Sequence, residues 1–283
     1  MTSDEEFKCC ITTCGLPLNE NYWDKQYQNN ETGWDLKSVS PPLKEFIDTL
    51  TDKNLKILIP GCGNAYEAEY LLDKGFNNVT LIDISSTLVN NLKKKFEGKP
   101  IRILHKDFFD HHETYDLIIE QTFFCAINPA LRIRYAAKCF GLLNDNGRIA
   151  GLLFNIIFEK EGPPYGGHKD EYMLLLEPLF KIKQFDVCTN SIPPRSGNEL
   201  FIELEKKNIL SDFVNLYSIS GITCSGCKET IIDILNKLNN VKSVSINTDF
   251  SELLILSDEK LNKTSLENAL SKDKKYQLKE IKN

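Results

Sequence analysis

No apolar run in this sequence approaches the roughly 20 residues that a membrane-spanning helix needs, so no membrane partner is expected. There is no basic block either. Lysine and arginine number 34 against 40 aspartates and glutamates, a formal charge of −6, and a nucleic-acid partner, which clustered cations would have to hold, is not expected. The opening MTSDEEFKCC is acidic and polar, where a secretory leader is basic and then apolar; the expectation is a cytoplasmic home with reduced thiols. Nine cysteines is an odd number, which argues against a complete disulfide framework. Histidine is scarce, at four residues, and that limits the acid–base chemistry available. Proline is missing altogether beyond Pro194, although eleven occur up to it, so the composition changes there. Internal repeats and long low-complexity segments are absent.

What is present divides into a tail and two units. Residues 1–21, with Cys9, Cys10 and Cys14, show no apolar periodicity and read as a tail or arm. From Leu55 short apolar runs alternate with helical patterns. Lys56–Pro60, Val79–Ile82, Ile101–Leu104, Leu117–Glu120 and Arg148–Phe154 read as strands, with helices to about Lys74, over Ser85–Phe96 and around Ala130–Leu142. That alternation predicts an α/β fold with a doubly wound, mostly parallel sheet over residues 22–207. Ile182–Cys188 and Leu200–Glu205 predict an antiparallel hairpin closing one edge. A polar junction at Lys206–Asp212 leads to a second pattern over 213–283. It has strands at Phe213–Ser220, Val241–Asn247, Leu253–Ser257 and Tyr276–Ile281, and helices at Ser225–Leu238 and Leu266–Leu270. This βαββαβ order is a small α+β, ferredoxin-like sandwich, and the short polar junction predicts that it folds independently.

The sharpest local signal is IPGCGNAYEAEYLL followed by VTLIDIS. Gly61 and Gly63, close behind a strand, let the backbone turn tightly and approach a ligand. Asp83, ending the next strand, is placed for the hydroxyls of a ribose. A dinucleotide site would want a third glycine to pack over a pyrophosphate; Tyr66 stands there. S-adenosylmethionine, which has adenosine, a sulfonium and an amino acid but no phosphate, fits such a loop. A plain strand–turn–helix connection with Asp83 as a loop acid would also fit.

The segments NYWDKQYQNNETGWDL, LIPGCGNAYEAEYLLDKGF, LIDIS, DFFDH, YDLIIEQTFFCAINPALR and EGPPY, in this order from Tyr22 to about Lys206, resemble the thiopurine methyltransferase superfamily, most closely its halide/thiol branch. The resemblance implies a class I methyltransferase sheet with S-adenosylmethionine as cofactor. It implies that Trp23 and Trp34 cover the cofactor, that Gly61 and Gly63 line its methionine part, and that Asp83 holds the ribose. Asp107 and Phe108 would contact the adenine, and Gln121–Phe124 would pass beneath the sulfonium. Arg132 would lie near the substrate, and Tyr165 in the loop over its mouth, as the catalytic candidates. The family often has a second tryptophan four residues after the first, where this chain has Tyr27. For Arg132 a solvated helix charge is an equal alternative, with Arg134 close by. Aromatic faces over a sulfonium stabilise it by about 0.5–2 kcal/mol.

With few histidines, acceptors that are nucleophilic without a strong base suit this chain: thiolates, halides, and reduced selenium or tellurium species. His111 and His112 read as a solvated loop pair, His168 as an exposed loop residue, and Cys125 as a small buried apolar group.

The second unit carries SISGITCSGCKETIIDIL. Cys224 and Cys227 enter a helix whose N-terminus favours thiolates, and such a pair can chelate a soft ion, Cu(I), Hg(II), Zn(II) or Cd(II). A thioredoxin-like redox pair is the rival, at variance with the unit's length and with the missing proline. The stretch Asn215–Ile281 resembles the heavy-metal-associated domain, whose GMTCxxC motif here reads Gly221-Ile222-Thr223-Cys224-Ser225-Gly226-Cys227, with Tyr276 where some members keep a tyrosine by the loop. Together the two resemblances imply an enzyme methylating a soft small molecule, fused to a unit that handles a thiophilic element and has a metal-handling protein as possible partner. The rival is a metal-trafficking or metal-sensing protein whose first unit binds cofactor without turnover.

Overall fold

Ile57–Pro60 is apolar at every position, and a strand of that kind must be covered on both faces. It forms β1, the third strand across a seven-stranded sheet in a computed structural model that describes residues 17–160, 162–210, 213–270 and 276–281. The tail cysteines Cys9, Cys10 and Cys14 lie outside the described residues. Around β1 run β2 (Val79–Asp83), β3 (Ile101–His105), β4 (Tyr115–Gln121) and β5 (Leu143–Phe154), all parallel. The hairpin β6 (Phe180–Val187) and β7 (Glu199–Lys206) is antiparallel and closes the edge beside β5, as the sequence predicts. The order is β3-β2-β1-β4-β5-β7-β6. It reverses direction between β1 and β4, and open α/β sheets bind ligands at the carboxyl ends flanking such a point.

Three helices were not foreseen. Asn19 caps α1 (Glu20–Gln28), its side chain accepting from Tyr22 N at 3.2 Å. Asp24 of α1 accepts from Ser85 Oγ at 2.6 Å, Ser86 Oγ at 2.8 Å and Thr87 N at 2.9 Å. It thereby pins α1 on the start of α4 (Ser86–Lys95), where a helix favours negative charge. Ser40 and two prolines open α2 (Pro41–Thr49), and Leu43, Phe46 and Ile47 bury its inner stripe. The third is α6 (Lys169–Leu176). With α3 (Tyr66–Asp73) and α4, α2 covers one face of the sheet. The other face packs on α5 (Arg132–Leu142), which is buried on nearly every side.

The second unit is the four-stranded antiparallel sheet β11-β8-β10-β9, formed by β8 (Val214–Ser220), β9 (Val241–Ile246), β10 (Glu252–Ser257) and β11 (Gln277–Ile281). Helices α7 (Ser225–Asn236) and α8 (Lys263–Leu270) cover one face through Tyr217, Ile219, Leu253 and Ile255. The opposite face is buried too. Val214, Leu216, Leu254 and Leu256 belong to one apolar cluster with Tyr135, Ala136 and Phe140 of α5. All six residues of β10 are buried. Each such aliphatic side chain removed from water contributes about 1.5–3 kcal/mol. The two sheets therefore share a core, which the reading of a separately folding unit did not anticipate. Polar contacts frame this seam. Arg134 Nε lies 2.7 Å from both Glu252 carboxylate oxygens, with a further contact from Nη2. Asn247 Nδ2 donates to Ala130 O at 3.1 Å.

Candidate active site

A cleft of about 950 Å³ opens at the carboxyl ends of the parallel strands. Trp23, Trp34, Gly61, Gly63, Asp83, Asp107, Phe108 and Gln121, separated along the chain, all line it.

Gly61 follows β1 with a φ of +53°, and a Cβ there would sit 2.2 Å from Phe123 Cδ2. The position thus needs glycine twice over, for its backbone angle and for the ring against it. Asp83 ends β2 and is 7% exposed. Burial pushes its carboxyl up to about 6, against the pull of the backbone N–H groups of Ser85, Gly63 and Ile84. Desolvation of the charged form wins. A ligand that donates hydrogen bonds to this carboxylate would restore some of the solvation it has lost.

The roof of the cleft is aromatic. Trp34 meets Trp23 edge-on at 5.6 Å between ring centres and Tyr27 at 5.9 Å. Tyr27 therefore occupies the cap in person; its hydroxyl is buried near Asp83, which raises its pKa. Asn64 Nδ2 donates to Asp35 Oδ2 at 2.7 Å, and Arg195 Nη2 to Trp34 O at 3.1 Å, so the GWD segment is tied to both the glycine loop and the edge hairpin.

The floor is the turn after β4. Gln121 has both side-chain amide atoms buried and without a protein partner. A buried unsatisfied amide costs free energy unless a ligand or water meets it. Gln121 and the buried Asp83 carboxylate make a polar pair suited to the amino-acid and ribose parts of S-adenosylmethionine, with the indoles above. Beneath the turn, Glu120 Oε1 accepts from Phe123 N at 2.8 Å and Phe124 N at 2.9 Å, and Oε2 from Tyr135 OH at 2.9 Å. Glu120 is fully buried, and burial raises its carboxyl to about 7. Gly151 on β5 makes room for it, since a Cβ there would lie 2.3 Å from Glu120 Cβ. Glu120 escaped the sequence reading, though an acid inside the apolar run of Leu117–Glu120 was its signal. Asp107 accepts from Phe109 N at 2.9 Å and caps the short turn that buries Phe108.

Arg132 and Tyr165 are brought together, but behind the wall of the cleft rather than on its lining. Arg132 is 4% exposed. Its Nη2 donates to Tyr165 O at 3.3 Å and Gly166 O at 3.0 Å, and its guanidinium lies 4.6 Å from the centre of the Phe124 ring. Tyr165 N donates to Cys125 O at 2.7 Å. Arg132 is thus a buried clasp on the loop whose Pro163 and Pro164 do face the cleft, and the solvated-charge alternative is set aside. Arg134 is the seam residue described above.

Among the described residues no histidine lines the cleft. His168 is exposed, but His111 is buried and bonded to Tyr115 OH at 2.8 Å, and burial lowers its pKa to about 4. The expectation of a solvated pair therefore fails for His111, because the ring packs on Tyr115 beneath the turn after β3. Cys125 does line the cleft, and burial raises its thiol to about 12, so it stays protonated.

In the second unit Cys224 caps α7, its sulfur accepting from Cys227 N at 3.3 Å and lying 3.1 Å from Cys227 Sγ. Cys224 above all, then Thr223, lowers the Cys227 thiol to about 6. Two adjacent sulfurs, one readily ionised, fit a soft ion; no cluster of three or more ligating side chains occurs among the described residues.

The model of thiopurine S-methyltransferase matches residues 18–207, and that of the heavy-metal-associated domain residues 216–277. A probable thiol methyltransferase from Arabidopsis thaliana is 33% identical over 185 residues, covering 62% of this chain and 81% of the relative. A thiopurine S-methyltransferase from Vibrio vulnificus is 26% identical, covering 56% of this chain and 80% of the relative. Among solved structures, a Burkholderia thailandensis 1,6-didemethyltoxoflavin-N1-methyltransferase with bound S-adenosylhomocysteine superposes with a TM-score of 0.54 at 16% identity, over 67% of this chain and 87% of that one. The magnesium protoporphyrin IX methyltransferase of Synechocystis gives 0.53 at 14% identity, over 69% and 100%. Both bear on the fold alone.

Proposed function

The chain belongs to the thiopurine S-methyltransferase family, with a heavy-metal-associated domain following, and from that premise we propose that it methylates a small soft nucleophile: a thiol, a halide, or a reduced selenium or tellurium species. It is an S-adenosylmethionine-dependent methyltransferase. What supports the acceptor class is the thiopurine and thiol methyltransferase likeness, together with a cleft roofed by indoles and lined by no histidine among the described residues. Hydroxyl and amine acceptors need a positioned base to take their proton, whereas thiolates and halides arrive with a free lone pair.

When bound, S-adenosylmethionine supplies a methyl group on a sulfonium, which an in-line acceptor displaces while the electrons of the broken C–S bond stay with the departing thioether. Asp83 would accept from the ribose hydroxyls, and the backbone at Gly61 and Gly63 would take the methionine part. Gln121 would satisfy its orphaned amide on the cofactor. Trp23 and Trp34 would exclude water and lay aromatic faces near the cation. Orientation in such a pocket is the main source of rate, on the order of 7–11 kcal/mol in well-aligned systems. Arg132 would act at one remove, by holding the Pro163–Pro164 loop.

Cys224 and Cys227 would hold one soft ion, in keeping with the fused domain, and the two activities together suit the handling of thiophilic elements. A carrier that bound cofactor without turnover would have no need of the acceptor-side wall built by residues 121–131 and the Arg132 clasp. The test is steady-state methyl transfer to bisulfide, thiophenol, iodide, hydrogen selenide and a catechol. Methylated sulfur or iodide products are expected; efficient turnover of the catechol alone would overturn the proposal.

A further inference from the structure

The turn between β9 and β10 reaches the rim of the cleft: Asp249 lines it together with Asn128, Ala130 and Leu131, which belong to the first domain. Asn247, at the foot of that turn, donates to Ala130 O, and Glu252, at its other foot, is clamped by Arg134. Arg134 lies two residues beyond the Arg132 clasp on the same helix. The turn is internally fixed as well. Asn247 Oδ1 accepts from Ser251 N and Glu252 N, each at 2.9 Å, and Asp249 Oδ1 from Ser251 N at 3.1 Å. Asp249 is exposed, and among the described residues no ion pair neutralises it; its neighbour Arg134 is committed to Glu252.

We propose that the second domain completes the acceptor end of the cleft, and that Asp249 sets acceptor preference there by its charge, against anions and toward neutral or cationic soft nucleophiles. The proposal rests on reading this cleft as the methyl-transfer site. Its further content is that a residue outside the methyltransferase domain chooses among the acceptors that the motifs leave open. The sequence supports the docking independently. An isolated two-layer sandwich shows water one face of its sheet, yet Val214, Leu216, Leu254 and Leu256 make that face apolar here, and the seam with α5 is what covers it. A turn so anchored, front and back, holds its carboxylate at the rim as a fixed charge. Lys106 and Arg195 line the same cleft, Arg195 paired with Glu199, and Glu31, Asp35, Glu67, Asp83 and Asp107 line it too, so Asp249 adds a rim charge to a lining already richer in carboxylates than in cations.

The experiment compares the full chain with Asp249→Asn and Asp249→Lys, using iodide, 2-mercaptoethanol and cysteamine, whose reacting forms are an anion, an anionic thiolate and a thiolate offset by an ammonium. Asparagine keeps the oxygen that holds Ser251, so the turn survives in that variant. At low ionic strength Asp249→Lys should lower the KM for iodide relative to cysteamine by about threefold to tenfold, with Asp249→Asn between. The KM for 2-mercaptoethanol, whose thiolate is also an anion, should move in the same direction as that for iodide, while the cofactor affinity stays within about twofold. The shift should shrink as sodium acetate is raised toward 1 M, where screening acts over about 3 Å. A KM ratio unchanged in both variants, or one that shifts but ignores salt, overturns the role of Asp249 and leaves the methyltransferase reading standing. If the unaltered chain methylates none of the three, the underlying reading has failed, and the proposal with it.

Discussion

Asp83 shows how a single side chain couples burial to ligand binding. Its carboxyl is raised to about 6 because water is gone and three backbone donors do not compensate. Hydroxyls of a ribose would hydrogen-bond the ionised form, so cofactor affinity should be full well above pH 6 and fall as the group takes up its proton below it. Titration calorimetry should show about a tenfold loss between pH 8 and pH 5. Asp83→Ala should weaken binding at least about tenfold at pH 8, since a hydrogen bond to a charged acceptor is worth about 1.5–3 kcal/mol. An affinity that is flat with pH and indifferent to the substitution would remove Asp83 from the site. This residue was legible in the sequence because the spacing between glycine loop and strand end is set by the βαβ unit. Glu120 was not read and His111 was read as solvated, for one reason: a polar residue in a short segment shows its type but not the partners that make its burial tolerable. Glu120 has three donors, and His111 has Tyr115.

Among the elements, the strands and the helices between them could be read because each is apolar with a definite period. Helices α1, α2 and α6 could not. α1 buries none of its residues fully, so its stripe is weak, and it is held by Asp24 on α4, a contact between distant residues. α2 carried a real signal in Ser40, its two prolines and Leu43, Phe46 and Ile47, and it went unread. The start of α7 was legible because Cys224 is both the helix cap and half of the thiolate pair. With two sulfurs and no cluster of three or more ligands described nearby, an ion content with linear two-thiolate coordination should be preferred. Competitive titration should find one Cu(I) per chain, bound far more tightly than Zn(II), which wants four ligands. Cys224→Ser/Cys227→Ser should abolish that binding. Retention of full affinity in the double variant would sink the assignment, and loss of binding on removal of the first fourteen residues instead would make the tail cysteines ligands.

For the whole molecule, the composition break near Pro194 located the second unit but said nothing of its docking. The clue lay in β10, ELLILS, whose unbroken apolar run shows that both faces of the strand are covered. Leu254→Ala deletes buried volume at the seam, at a cost of about 2–5 kcal/mol. Scanning calorimetry should therefore show the main unfolding transition of the methyltransferase domain moving down together with that of the small domain. Two separate transitions, of which only one moves, would show that each unit folds without help from the other.

The seam also orders events during synthesis. Helix α5 is made near the middle of the chain, while the strands that cover its outer side, β8 and β10, come from the last quarter. At roughly 5–20 residues per second, the nascent first domain waits on the order of ten seconds with that apolar side uncovered. The small domain is then the stopper for a surface that the growing chain has already made sticky, and a message cut short after the first domain yields a protein in need of a chaperone.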